Sequence, residues 1–168
     1  MRGRPDISLK RLSVLATATV LAAVGMGVTA APASAGPIGP CTSLRSFNLE
    51  FRTGGDDLRG NSEVIVWLRT TSGTMELQHV WGRFADHTST SRLVTFQNPN
   101  WAVNSCTITG VSVRMASHPE WHETADNWNM DGFALQGYSS TGTYGYSLSR
   151  NSANKRFTAG SPWWHATE

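Results

Sequence analysis

Residues 46–70 read Ser46-Phe47-Asn48-Leu49-Glu50-Phe51-Arg52-Thr53-Gly54-Gly55-Asp56-Asp57-Leu58-Arg59-Gly60-Asn61-Ser62-Glu63-Val64-Ile65-Val66-Trp67-Leu68-Arg69-Thr70. Phe47, Leu49 and Phe51 alternate with Ser46, Asn48 and Glu50, the period-two pattern of a strand with one face buried. Glu63 to Thr70 carries apolar residues on both faces and is rich in β-branched side chains, which predicts a mid-sheet strand covered on both sides. The glycines and acids from Thr53 to Asn61 form the loop between them.

Outward from this stretch, shorter strands are predicted at Met75–Trp81, Arg92–Phe96, Thr107–Met115, Phe133–Tyr138, Thr143–Ser149 and Lys155–Thr158, separated by Gly, Asn, Ser and Pro clusters. No window shows a sustained helical stripe, and only Pro119 to Asp126 has room for a helical turn. The fold class expected is all-β, a single antiparallel β-sandwich of about eight strands over residues 44–168.

Residues 1–35 have the three parts of a cleaved secretory signal peptide. Arg2, Arg4, Lys10 and Arg11 are basic, Val14 to Val28 is uncharged and mostly apolar, and Ala33-Ser34-Ala35 offers a small-residue cleavage site. The apolar run is shorter than the ~20 residues a membrane-spanning helix needs, so no stable membrane span is expected. Residues 36–43 form a lead-in segment, and the protein is expected to be secreted into an extracellular space. Of 168 residues, 39% are apolar and 15% charged, an ordinary globular balance that excludes a disordered tail or a fibre. Without residues 1–35, Lys+Arg falls from 14 to 10 and Asp+Glu from 12 to 11, turning the net charge from +2 to −1. The remaining basic residues are scattered, which argues against nucleic acid as a partner.

Cys41 and Cys106 are the only cysteines. In an oxidising compartment they are expected to pair as one disulfide. All seven tryptophans follow residue 35. Most suit core or rim positions, while Trp128, Trp163 and Trp164 are candidates for ligand contact, with the terminal pair the more exposed in pattern.

Two loops concentrate polar chemistry. The first, Thr53 to Asn61, places Asp56 and Asp57 at a glycine-rich tip that needs a counter-charge. Arg59 supplies one reading of it and Ca²⁺ the other. The second, Ala125-Asp126-Asn127-Trp128-Asn129-Met130-Asp131-Gly132, projects Asn127, Asn129 and Asp131 to one side and Trp128 and Met130 to the other when extended. Its spacing fails as a helix-flanked calcium loop, because Tyr138 stands where the twelfth-position acid belongs. The apolar positions change from even to odd across Gly132, which predicts a bulge there. The candidate metal set is Asp56, Asp57, Asn61, Asp126, Asn127 and Asp131.

The two loops resemble paired motifs of secreted bacterial proteins and, more loosely, those of PLAT (lipoxygenase-homology) β-sandwich domains. The resemblance spans roughly residues 44–138, with Thr53, Gly54 and Trp128 in comparable places. It implies a β-sandwich in which Asp56, Asp57 and Asp126 hold Ca²⁺ and the sandwich edge approaches lipid or protein. The chain departs from that pattern in lacking an adjoining lipase or lipoxygenase domain.

Enzyme signatures are weak. Gly-x-Ser-x-Gly is absent, and His118-Pro119-Glu120-Trp121-His122 breaks the zinc-helix motif. His79, His87 and His165 stand isolated in sequence and read as structural or surface residues. The expected function is a monomeric, non-catalytic binding or interaction module contacting carbohydrate, lipid or protein, with Ca²⁺ as the one candidate cofactor. The alternative is a small secreted hydrolase using Glu120, His122 or Asp126.

Overall fold

The computed structural model describes residues 35–168, so the expected signal peptide of residues 1–35 lies, but for Ala35, outside the described residues. Strand signals between Gly, Pro and Asn punctuation give, in order, β1 (Ala35–Pro37), β2 (Ser43–Thr53), β3 (Ser62–Thr70), β4 (Gly73–Glu76), β5 (Val80–Trp81), β6 (Ser89–Thr95) and β7 (Val103–Asn104). A 3-10 turn at Ser105–Thr107 leads into β8 (Ile108–Ser117), β9 (Trp128–Ser139), β10 (Tyr144–Arg150), β11 (Lys155–Phe157) and β12 (Trp163–Thr167). No α-helix occurs among the described residues.

Two antiparallel sheets pack as a sandwich. The larger runs β1-β10-β9-β2-β6, with β11 on β9 and β7 on β2. The smaller runs β12-β8-β3-β4, with β5 on β3. Alternation places Phe47, Leu49 and Phe51 of β2, Phe133 and Leu135 of β9, and Val64, Val66 and Leu68 of β3 in one continuous core. Trp128 is fully buried in it, stacked on Phe157 at 5.1 Å and edge-on to Phe51 and Phe84 at 5.8 and 5.7 Å.

The predicted bulge is present. Arg52 pairs with Gly132 and Thr53 with Met130, leaving Asp131 as the extra, outward-pointing residue. This lets Trp128 and Met130 share the buried face with Phe133 and Leu135 despite their opposite parity. The second polar loop is therefore largely the first part of β9. Among the described residues twelve strands form where about eight were expected. The Met75–Trp81 run divides into β4 and β5, β1 runs from Ala35, the last residue of the expected signal peptide, into the lead-in, and the terminal tryptophan pair opens strand β12.

Cys41 and Cys106 form the expected disulfide, with Cα atoms 5.4 Å apart across 65 residues of sequence. Closing a loop of that length stabilises the fold by about 4 kcal/mol in the chain-entropy account.

β3 is mid-sheet as predicted, but its second face is not covered by another layer. The outer face carries Glu63, Ile65, Trp67 and Arg69, and Ile65 is buried there outside the core cluster. Arg114 of β8 stands opposite Ile65 in register.

Candidate functional site

The two polar loops lie side by side, as the sequence suggested. The Gly54 amide donates to the Asn129 carbonyl at 2.8 Å, and the Asn129 amide donates to the Asp56 carbonyl at 3.1 Å. Two of their acids, however, Asp56 and Asp126, are engaged by the protein's own cations and donors. Asp126 is 3% exposed. Its Oδ1 accepts from Arg59 Nε at 2.8 Å, and its Oδ2 accepts from the Arg59 amide at 2.9 Å and Ser62 Oγ at 2.7 Å. The hydrogen bond to Asp126 raises the Arg59 pKa, a gain that burial only partly opposes. Asp56 pairs with Arg156 at 2.9 Å. Asn61 donates to Glu123 at 2.6 Å, while Asp57 and Asp131 are exposed and Asn127 is half-buried.

The candidate calcium set is thereby divided. Among the described residues no three His, Cys, Asp or Glu side chains are grouped to hold a metal ion. The internal Arg counter-charge does operate, although Arg59 satisfies Asp126 rather than Asp56 or Asp57. As the side chains stand, the donor set does not fit Ca²⁺, which needs six to eight free oxygens converging on one point. Trp128 also changes role: its rings are packed among Phe51, Phe84 and Phe157, and its indole N–H donates to Thr53 Oγ1 at 3.2 Å, leaving no face for a ligand.

The hydrolase cluster is dispersed as well. His122 and Glu120 are both exposed and 3.9 Å apart, His118 turns to Glu63, and Glu123 turns to Asn61 and Arg59. Glu123 is held below the usual carboxylate range, first by the Glu120 backbone amide and then by Asn61.

What gathers polar and aromatic chemistry is the outer face of the smaller sheet. Buried Glu63 accepts from His79 Nδ1 at 2.8 Å and from His118 Nε2 at 3.0 Å. His79 Nε2 meets Glu76 Oε1 at 2.9 Å, and Glu76 Oε2 accepts from the Trp67 indole N–H at 2.8 Å. A carboxylate only accepts, so an arrangement with a carboxylate at each ring nitrogen favours the doubly protonated, cationic form of His79. Burial pulls its pKa down, but the hydrogen bonds to Glu76 and Glu63 together outweigh burial and raise it.

Aromatic rings bound this network on both sides. Trp81, 54% exposed, lies 5.6 Å from His118. At the other end Trp67 and Trp163 are 5.1 Å apart, and His165 stacks beside Trp163 at 5.9 Å. His165 Nδ1 also bonds Ser112 Oγ at 2.9 Å. The Arg114 guanidinium stands over Trp163 at 5.7 Å. A groove of about 260 Å³ opens between Arg114 and His118, walled by Ala159 and Pro162.

These contacts form a strip running from β5 over β3 and β8 to β12, across the strand direction. With neighbouring strands ~4.8 Å apart, the three steps from Trp81 to Trp163 cover roughly 14 Å. Of the three tryptophans predicted to contact ligand, Trp163 lies on this face and is 43% exposed, while Trp164 turns inward and packs against the core. His79 and His165 are not isolated: strand pairing brings both into the strip. Sequence reading missed Glu63, Trp67, Glu76 and Trp81 as site residues. The available signal was the mixture of polar and apolar residues at 63, 65, 67 and 69, which does not suit a core-facing row.

Compared with known proteins, the chain matches no family model and no curated protein sequence.

Proposed function

We propose that the protein is a secreted, non-catalytic binding module that recognises carbohydrate on the outer face of its smaller sheet. The observation that carries this reading is the strip itself: tryptophan rings toward both ends, an ordered row of hydrogen-bonding groups between them, and a shallow groove beside β8 from Arg114 to His118. Sugars present apolar ring faces bounded by hydroxyls, so they suit flat indoles flanked by fixed donors and acceptors. An open strip admits a chain that continues past either end.

The geometry favours binding over hydrolysis. Glu63 and Glu76 grip opposite edges of the His79 ring, which fills the space where paired carboxylates would hold a scissile bond and water. Of the loop acids singled out by the PLAT-like resemblance, Asp126 is occupied by Arg59 and Ser62 and Asp56 by Arg156, which among the described residues leaves Asp57 alone and makes the sheet face the better place for a ligand.

The test is titration of the purified chain with soluble neutral and acidic polysaccharides, followed by tryptophan fluorescence and calorimetry. Binding is expected to perturb tryptophan emission and to be lost in Trp163→Ala and in Trp67→Ala at unchanged fold. Absence of binding across the panel would overturn the proposal, as would binding that survives both substitutions.

A further inference from the structure

We infer that the carbohydrate is acidic: a polymer of uronic acid whose carboxylate is taken by Arg114 at the edge of the groove. This rests on the carbohydrate reading above and adds the class of sugar. Every carboxylate oxygen of Glu63 and Glu76 already receives a donor from His79, His118 or Trp67. The acceptor positions of these two carboxylates are therefore taken up within the protein.

The cations are not satisfied in the same way. Arg114 lies near the middle of the sheet on β8, opposite Ile65 of β3 and Trp163 of β12. Its guanidinium meets the Trp163 ring and, among the described residues, no carboxylate or other acceptor. Arg69 stands on the same face two residues beyond Trp67, half-buried and likewise without an ion pair among the described residues. A guanidinium whose N–H groups meet no acceptor offers a fork that matches a carboxylate through two parallel hydrogen bonds. Arg114 also lines the groove, so a sugar seated there presents an exocyclic carboxylate within reach of the fork. The exposed part of the Trp163 ring, beside Arg114, is where the apolar side of the same sugar or its neighbour would rest.

The discriminating probe is polygalacturonate against its methyl ester, which keeps the sugar backbone and removes the charge. Calorimetry on the unmodified protein should show the acid bound about tenfold or more tightly than the ester, the discrimination expected of one bidentate charged contact. Arg114→Gln should bring the acid down to the level of the ester. Arg114→Lys should recover only part of the difference, because an ammonium lacks the planar fork. Melting temperature of each variant reports whether it folds, and the acid-to-ester comparison requires no variant.

Equal binding of acid and ester would overturn the inference while leaving the carbohydrate face in place. Stronger binding of a sulfated glucan than of polygalacturonate would also overturn it, by assigning the cations to sulfate. Failure to bind any of these polymers or a neutral glucan would overturn the underlying function.

Discussion

Replacing Asp126 by Ala tests whether the acidic loops are structural rather than metal-binding. Its carboxylate accepts three hydrogen bonds, from the Arg59 amide, Arg59 Nε and Ser62 Oγ. Ser62 is fully buried, so its hydroxyl loses an acceptor where water does not replace it. An unsatisfied buried donor costs about 1 to 3 kcal/mol. The Arg59 side chain is 34% exposed and is rehydrated in part, so its share of the ion pair belongs at the low end of the range. The sum is about 3 kcal/mol, or roughly a 10 °C fall in Tm for a domain of this size. Urea unfolding followed by tryptophan fluorescence, in EDTA and in millimolar CaCl₂, gives the value directly. In both media the wild-type protein should be equally stable and Asp126→Ala equally destabilised. A loss below about 1 kcal/mol would refute the argument. So would a calcium-dependent stabilisation of the wild type that Asp126→Asn removes, since that would make Asp126 a ligand.

Three other outcomes follow from the packing and the charges. Trp128→Ala should cost about 3 to 5 kcal/mol in urea unfolding because it empties the middle of the aromatic core, whereas Trp163→Ala should cost less than about 1 kcal/mol and be visible in ligand titration. Gly82→Ala should lower Tm by several degrees, because the added Cβ would meet the Arg59 carbonyl, a backbone atom that cannot swing aside. The raised His79 pKa makes its contribution to stability fully present below the ordinary value of 6.5 and lost as pH rises through the folded-state value. Melting temperature followed from pH 5 to pH 9 should therefore carry a downward step that His79→Gln abolishes.

The fold was legible wherever one strand face met the core. Phe47, Leu49 and Phe51 announced their strand, and the parity change between Met130 and Phe133 announced the bulge at Asp131. The apolar residues on both faces of β3 misled, because its outer face meets no further layer: Trp67 packs on Trp163, and Ile65 stands opposite Arg114 in register. The functional strip was less legible for the same reason. Glu63, Glu76 and His79 approach one another through antiparallel pairing of β3 with β4 and β5, while His118 and Trp163 arrive from distant segments of the chain. Local spacing reports such encounters only once register is known. The acidic motifs misled in a different way: adjacency in sequence concentrated Asp56 and Asp57, but folding assigned their loop's arginine to Asp126.

The disulfide has a kinetic consequence. β2 sits between β6 and β9, so Phe51 must find Thr90 on one side and Phe133 on the other. Such distant pairings have to be reached by chain diffusion before they return any stabilisation, which makes sheets of this topology slow to fold. The Cys41–Cys106 bond joins the chain just before β2 to the turn just after β7, two strands that pair through Ser43 and Asn104. An oxidised chain thus begins folding with one long search already finished. Refolding from urea should be faster with the bond intact than after reduction, and the order in which oxidation and sheet formation occur sets how long the hydrophobic strands remain open to other chains.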